Sequence, residues 1–246
     1  MLRAVLFDLG GTLIVEGEDD RTSARAALQE ISRNAHSRNF SSDPRKLVLN
    51  YVKQRRIHNI IREKFNVEIH LRSWLSELLS STFGEDTDEE LLKEAMEIFV
   101  KFRMMKLSLY PEVSSVLERL SERYLLGAVT NISSEAVPHI ALRKLGLEGL
   151  FRVVVTSAEL GVRKPYPWIF LYTLRMLKVS SNECVFVGNS IKNDVLGPKN
   201  IGMKAVLVDR EDAYKEANCA ADFKIKNLEE LPEVLERIRL HSSPEG

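Results

Sequence analysis

The sequence predicts an α/β protein: a doubly wound, Rossmann-like parallel sheet forming a core, interrupted by an inserted all-helical domain. Two observations carry this. Short apolar runs alternate with helix-period stripes through most of the chain, and between residues 16 and 106 only helical patterns remain. Short continuous apolar runs read as strands buried on both faces of a parallel sheet. Their alternation with helices reads as a doubly wound sheet. A length of 246 residues suits a core plus a smaller domain, and 44% hydrophobic residues suffice for a sizeable interior.

The first apolar run, Ala4 to Phe7, ends in Asp8 and then Gly10-Gly11-Thr12. Similar runs recur at Tyr124–Val129, Val153–Thr156, Cys184–Val187 and Ala205–Val208. Helical stripes lie between them. Val113, Val116, Leu117 and Leu120 form one; Val137, Ile140, Ala141 and Leu145 form another, stopped by Gly146. Ile169, Tyr172, Leu174 and Leu177 follow Pro165 and Pro167, which suit a helix start. Leu228, Leu231, Leu235 and Ile238 make a closing amphipathic helix, and the tail from His241 to Gly246 is expected to fray.

Within the insert, Val48, Val52, Ile57, Ile60, Ile61 and Phe65 form a stripe. Leu71, Trp74, Leu75 and Leu78 form a second; Leu92, Ala95, Met96, Phe99 and Phe102 form a third. Gly84 to Asp88 reads as the loop between the last two. The predicted division is therefore 1–15 with 107–246 as the core and 16–106 as the helical domain, placed to act as a lid after the first strand. Trp74 and Trp168 are expected to pack, and His58 and His70 to lie at the surface.

Thirty-five basic and thirty-five acidic residues cancel, so no global charge points to nucleic acid or an anionic membrane. A basic cluster, Arg45, Lys46, Lys53, Arg55, Arg56, Arg62, Lys64 and Arg72, reads as a solvated helix face. No run approaches the roughly 20 apolar residues of a membrane span. The apolar start breaks off at Asp8, too early for a signal peptide. The two cysteines, Cys184 and Cys219, form no Cys-x-x-Cys pair. A cytoplasmic location is expected.

In open parallel sheets ligands bind at the C-terminal strand edges. The residues following the predicted strands there are Asp8 with Gly10, Gly11 and Thr12; Thr130-Asn131; Lys164; and Gly188-Asn189-Ser190 with Asn193 and Asp194. A carboxylate at a strand end can act as a nucleophile. Neighbouring glycines let backbone N–H groups approach a phosphate. Thr130 can donate to a phosphoryl oxygen, and Lys164 can neutralise anionic charge. Asp8, Asp194 and the Asn189 amide oxygen are hard ligands suited to magnesium.

Phe7-Asp8-Leu9-Gly10-Gly11-Thr12-Leu13 resembles the first motif of the haloacid dehalogenase superfamily, usually Asp-x-Asp-Gly-Thr. Thr130-Asn131 is similar to its second motif and Lys164-Pro165 to its third. The run from Val187 to Asp194 is similar to its fourth, usually Gly-Asp-Ser-x-x-Asn-Asp. Four ordered motifs across nearly the whole chain make a specific signature. The resemblance implies an aspartyl-phosphate on Asp8, with Thr130 and Lys164 holding the transferred group. It implies Gly11, Thr12 and Asn131 as substrate contacts, and a Mg2+ ion on Asp8, the Gly10 carbonyl, Asn189 and Asp194. It further implies that the insert is the family's helical cap and that the partner is a small phosphorylated molecule.

Two departures keep other readings open. The family's phosphatases usually carry an acid two residues after the nucleophile, where this chain has Gly10. General acid–base help is worth about 10²–10⁴-fold. Asn189 stands where the family usually has aspartate, which removes one anionic ligand. A metal-independent 2-haloacid dehalogenase acting on a halogenated acid is one alternative. A weakly active or non-enzymatic phosphate-binding regulator is another, and a phosphonate hydrolase using Lys53 a third. The phosphatase-type length from Gly188 to Asp194 favours a phosphatase.

Overall fold

The computed structural model describes residues 1–15, 20–40, 43–84, 87–105, 107–214 and 220–241. Cys219, part of the predicted 84–88 loop and the tail beyond His241 lie outside the described residues. The chain divides into two compact units: Gly17–Leu107, and Met1–Glu16 with Ser108–Gly246.

Among the described residues, four helices build the first unit: α1 (Asp20–Ser37), α2 (Pro44–Phe65), α3 (Leu71–Phe83) and α4 (Glu89–Met104). Side chains satisfy orphan N–H groups at three of their starts. Asp43 accepts from Arg45 N at 2.9 Å, the His70 ring from Arg72 N at 3.3 Å, and Asp88 from Leu91 N at 2.7 Å. Ala27, Leu28 and Ile31 of α1, Leu75 and Leu78 of α3, and Leu91, Ala95 and Phe99 of α4 form the interior. Trp74 packs edge-on against Phe99 at 5.0 Å. Helix α1 matches none of the three predicted stripes; its packed face is half alanine, which gives a weak hydrophobic period.

Helix α2 departs from expectation. Its inner face carries Leu47, Gln54 and His58, while Val52, Ile57, Ile60 and Phe65 are exposed. Apolar residues occur on both sides of this helix, so periodicity alone does not choose the packed face. His58, expected at the surface, is 7% exposed, with Nε2 3.2 Å from Glu77 Oε2.

The second unit is a six-stranded sheet flanked by helices. Its elements are β1 (Ala4–Phe7), α5 (Val113–Ser121), β2 (Leu125–Thr130), α6 (Ala136–Lys144), β3 (Val153–Thr156), α7 (Ser157–Leu160) and α8 (Pro167–Leu177). They continue with β4 (Cys184–Gly188), α9 (Gly197–Lys199), β5 (Lys204–Val208), β6 (Phe223–Ile225) and α10 (Leu231–His241). All pairs are parallel, in the order β3-β2-β1-β4-β5-β6. The sequence does not announce β6: it has three residues, with an exposed lysine at its centre. Trp168 is 49% exposed rather than packed, because α8 turns Ile169, Phe170 and Leu174 to the sheet instead. Cys184 is buried in β4, and burial pushes its thiol far above the usual range. Among the described residues no helix is long and apolar enough to cross a membrane.

This strand order reverses direction at β1, whose neighbours are β2 and β4. Such a reversal opens a crevice at the C-terminal strand ends. Phe7 pairs with Ala128 on one side and Val187 on the other, so Asp8, Val129 and Gly188 stand level across that crevice.

Candidate active site

Asp8 is the first residue past β1, and its N–H donates to Val187 O at 2.9 Å. Lys164 arrives from the segment after α7. Its Nζ lies 2.7 Å from Asp8 Oδ1 and 2.8 Å from Asp194 Oδ1, and donates to Val129 O at 2.8 Å. The lysine is 3% exposed and Asp194 is fully enclosed. Four residues spread over most of the sequence thus meet at one ammonium. Two carboxylates carry two negative charges against one positive, so a net negative charge stays enclosed at this edge.

Electrostatics follow from that arrangement. Burial pushes the Asp8 carboxyl up to about 6, with Lys164 pulling it down and Asp194 pushing it further up. Burial disfavours the Lys164 ammonium, but Asp194 and Asp8 outweigh it and hold the group above the ordinary lysine range. The Asp8 carboxyl is therefore largely ionised at neutral pH, beside the Lys164 ammonium.

The chain after β4 is shaped to deliver Asp194. Ser190 caps a π-helical turn, Ile191–Leu196, by accepting from Asn193 N at 3.2 Å. The Ser190 N–H donates to Asp194 Oδ2 at 2.9 Å, so Asp194 is held from both oxygens. Gly188 makes room for it: a Cβ there would stand 2.5 Å from Asp194 Cβ and Cγ.

Thr130 closes β2 opposite Thr156 and is buried at the same edge. The three residues expected to meet substrate also hold neighbouring parts of the core. Both ends of the Asn131 amide hold the Lys164 main chain: Nδ2 donates to Lys164 O at 3.0 Å, and Oδ1 accepts from Lys164 N at 2.8 Å. The Gly11 N–H donates to Ile14 O at 2.8 Å and the Thr12 N–H to Leu9 O at 3.3 Å, so both close the turn after Asp8. The Thr12 hydroxyl donates to Asn189 Oδ1 at 3.3 Å. These contacts arise because a turn this tight satisfies its own N–H groups first.

Gly11 has φ +73°, and a Cβ there would fall 2.2 Å from Asn189 Nδ2. Gly11→Ala should therefore cost about 1–2 kcal/mol of backbone strain and displace the Asn189 amide. Chemical denaturation gives the first effect, and a shift of the Asn189 side-chain amide signals in an NMR spectrum reports the second. An alanine variant matching the wild type in both would show that this turn relaxes freely.

Sequence reasoning missed two supports. Ser157 Oγ accepts from Ile132 N at 2.8 Å and donates to Ile132 O at 3.1 Å, pinning the segment after Asn131. The Ser190 main chain binds Asp194. A lone serine and a main-chain amide leave no signal in a sequence.

A family model described as haloacid dehalogenase-like hydrolase matches residues 2–202. The chain belongs to that family. It is 29% identical over 245 residues to the glyceraldehyde 3-phosphate phosphatase of Methanopyrus kandleri, covering 97% of this chain and 99% of that protein. Among solved structures, a 2-haloacid dehalogenase from Pseudomonas syringae pv. Tomato superposes with a TM-score of 0.77 at 26% identity, covering 96% of this chain and 99% of that one. A haloacid dehalogenase-like phosphatase from Thermococcus onnurineus does so at 0.65 with 29% identity, over 95% and 98%. The protein is thus a hydrolase of this family.

Among the described residues no group of three or more His, Cys, Asp or Glu side chains is arranged around one point. The side chains of Asp8, Asp194 and Asn189 carry hard oxygen donors. The net negative charge of the Asp8–Lys164–Asp194 trio is of the sign a divalent cation neutralises. These residues fit magnesium.

Proposed function

We propose that this hydrolase is a magnesium-dependent phosphatase of a small phosphomonoester, working through an aspartyl-phosphate on Asp8. The observation that carries it is the Lys164 ammonium joining Asp8 and Asp194 at 2.7 and 2.8 Å. The phosphatase name of the Methanopyrus kandleri relative supports it. So does the full phosphatase-type spacing from Gly188 to Asp194. We take the helical unit as the family's cap, and the cytoplasm as the place of action.

An Asp8 carboxylate oxygen attacks phosphorus, and the bond from phosphorus to the ester oxygen breaks. Lys164 fixes the attacking carboxylate and offsets the incoming phosphoryl charge, while the Thr130 hydroxyl donates to a phosphoryl oxygen. Asn131 and the Ser157-pinned turn position the Lys164 main chain. Gly10 has no side chain, so the leaving alkoxide takes its proton from water. A second water then attacks phosphorus, inorganic phosphate departs, and the Asp8 carboxylate is restored. Magnesium, held by Asp8, the Gly10 carbonyl, Asn189 and Asp194, would supply charge neutralisation for the transferred group.

Hydrolysis of p-nitrophenyl phosphate, with magnesium and with a chelator, tests this directly. Magnesium-dependent release is expected; no release from purified wild type at high enzyme concentration sinks the proposal. Gly10→Asp supplies an acid at the leaving-group side. It should raise kcat on alkyl phosphates, whose leaving groups are poor, by about 10-fold or more, within the range of acid–base help. An unchanged rate would mean that this position does not face the leaving group.

The second reading is metal-independent 2-haloacid dehalogenation. Gly10 and the 0.77 TM-score of the Pseudomonas syringae dehalogenase favour it. Asp8 would then attack carbon and halide would leave without needing a proton. Halide release from a 2-haloacid in chelator, beside no phosphate release, would select it.

A further inference from the structure

Arg210 stands just past β5, nearly the whole core away in sequence from the turn that follows Asp8. Its Nη2 donates to Thr12 O at 3.0 Å and lies 2.7 Å from Glu112 Oε1. The guanidinium stacks on Tyr110, its Cζ 3.6 Å from the ring centroid. Glu112 is itself fixed, accepting from Leu228 N at 3.3 Å. Neither side chain is open to solvent: Arg210 is 16% exposed and Glu112 8%.

The contacts of Thr12 give this clamp its meaning. Thr12 is fully buried, and its hydroxyl holds Asn189 Oδ1 at 3.3 Å. Gly11, its neighbour, lies so close under the Asn189 amide that no Cβ fits between them. The same turn is tied to the segment carrying Tyr110, whose N–H donates to Leu13 O at 3.2 Å, as Ser108 O accepts from Val15 N at 2.9 Å. One guanidinium therefore grips the carbonyl of the turn, the aromatic ring beside it and the carboxylate behind it. A planar fork with a flat stacking face can serve all three, and an ammonium cannot.

We propose that Arg210 is a positioning residue for the nucleophile turn: by holding the Thr12 carbonyl it sets the position of Asn189 and of the main chain that follows Asp8. Its contacts are with Thr12, Glu112 and Tyr110, so it acts through the turn. The effect on turnover rests on the phosphatase reading above; the effect on the turn does not. Small displacements of positioning groups are costly, since a misplacement of about 1 Å can lose about 10²-fold in rate.

The experiment compares wild type with Arg210→Met and Arg210→Lys. Metal-free hydrogen exchange reads the amides of Gly11, Leu13 and Ile14, and p-nitrophenyl phosphate hydrolysis across a magnesium series reads turnover. The clamp predicts faster exchange at those three amides in Arg210→Met, with the strand amides of β1 unchanged. It predicts a kcat lower by about 10- to 100-fold, an unchanged KM and a higher half-saturating magnesium. Arg210→Lys should restore only part of each. A role in stability alone predicts a lower melting temperature with exchange at the turn and kcat both at wild-type values, and that result overturns the proposal. If Arg210→Met does not fold, Arg210→Lys carries the comparison by the same criteria. A wild type without phosphatase activity would defeat the function proposed above, while the exchange data would still decide the clamp.

Discussion

Asp8→Asn should abolish turnover and, in the metal-free protein, make the fold more stable above pH 6. The first half follows from the nucleophile: a neutral amide oxygen does not attack phosphorus, and no other described carboxylate can replace it, because Asp194 is enclosed and held from both oxygens. The second half follows from linkage. The Asp8 carboxyl ionises near 3.8 in an unfolded chain and at about 6 in the fold. The native state therefore binds this proton more tightly than the unfolded state does. Well below pH 3.8 both states hold it and Asp8 costs nothing. Between 4 and 6 the cost grows, and above 6 it is complete, at about 3 kcal/mol for a change of this size. Asparagine never ionises and leaves the Lys164–Asp194 pair neutral as a whole. The variant's gain in unfolding free energy should thus be small at pH 4 and near its maximum at pH 7.5. Denaturant titrations of both proteins in chelator at those two pH values check this. A variant no more stable than wild type at pH 7.5 would show that Lys164 compensates Asp8 fully.

Lys164→Met should be the most damaging single change to the fold. The methionine keeps the length of the stem but removes the ammonium that both carboxylates and Val129 O share. Breaking a buried ion pair from one side typically costs about 3–5 kcal/mol, because the remaining charge stays enclosed without a partner. Here two charges stay. The loss should shrink at acidic pH, where Asp8 protonates, and should be partly recovered in Lys164→Met with Asp194→Asn. Turnover should be lost in both variants. Equal stability of Lys164→Met and wild type at pH 7.5 would mean that water reaches both carboxylates, contrary to their burial. The contrast with Asp8→Asn is instructive: the same trio is stabilised by removing an acid and destabilised by removing the base.

Much of this protein can be read along the chain. The runs at Ala4–Phe7, Val153–Thr156 and Cys184–Val187 are strands because they are apolar on both faces, and each ends where a polar residue meets the crevice. The order Asp8, Thr130, Lys164, Asp194 is legible for the same reason: chemistry sits where apolar runs stop. What misled was amphipathicity without a partner. The apolar residues of α2 at 52, 57, 60 and 65 face outward while Gln54 and His58 face in, and Trp168 does the same on α8. Periodicity states that a helix has a face; it does not state which face another element covers.

The sequence by itself determined the family, the class of fold and which side chains stand at the sheet edge, because buried strands and tight turns impose residue types at short range. Only the tertiary structure decided what those side chains do for one another. It gave one ammonium to two carboxylates, made the Asn131 amide a brace on Lys164, and set Arg210 on the carbonyl of Thr12. Contacts between residues so distant in sequence depend on which strands become neighbours and at what register, and that is settled by packing the whole core at once.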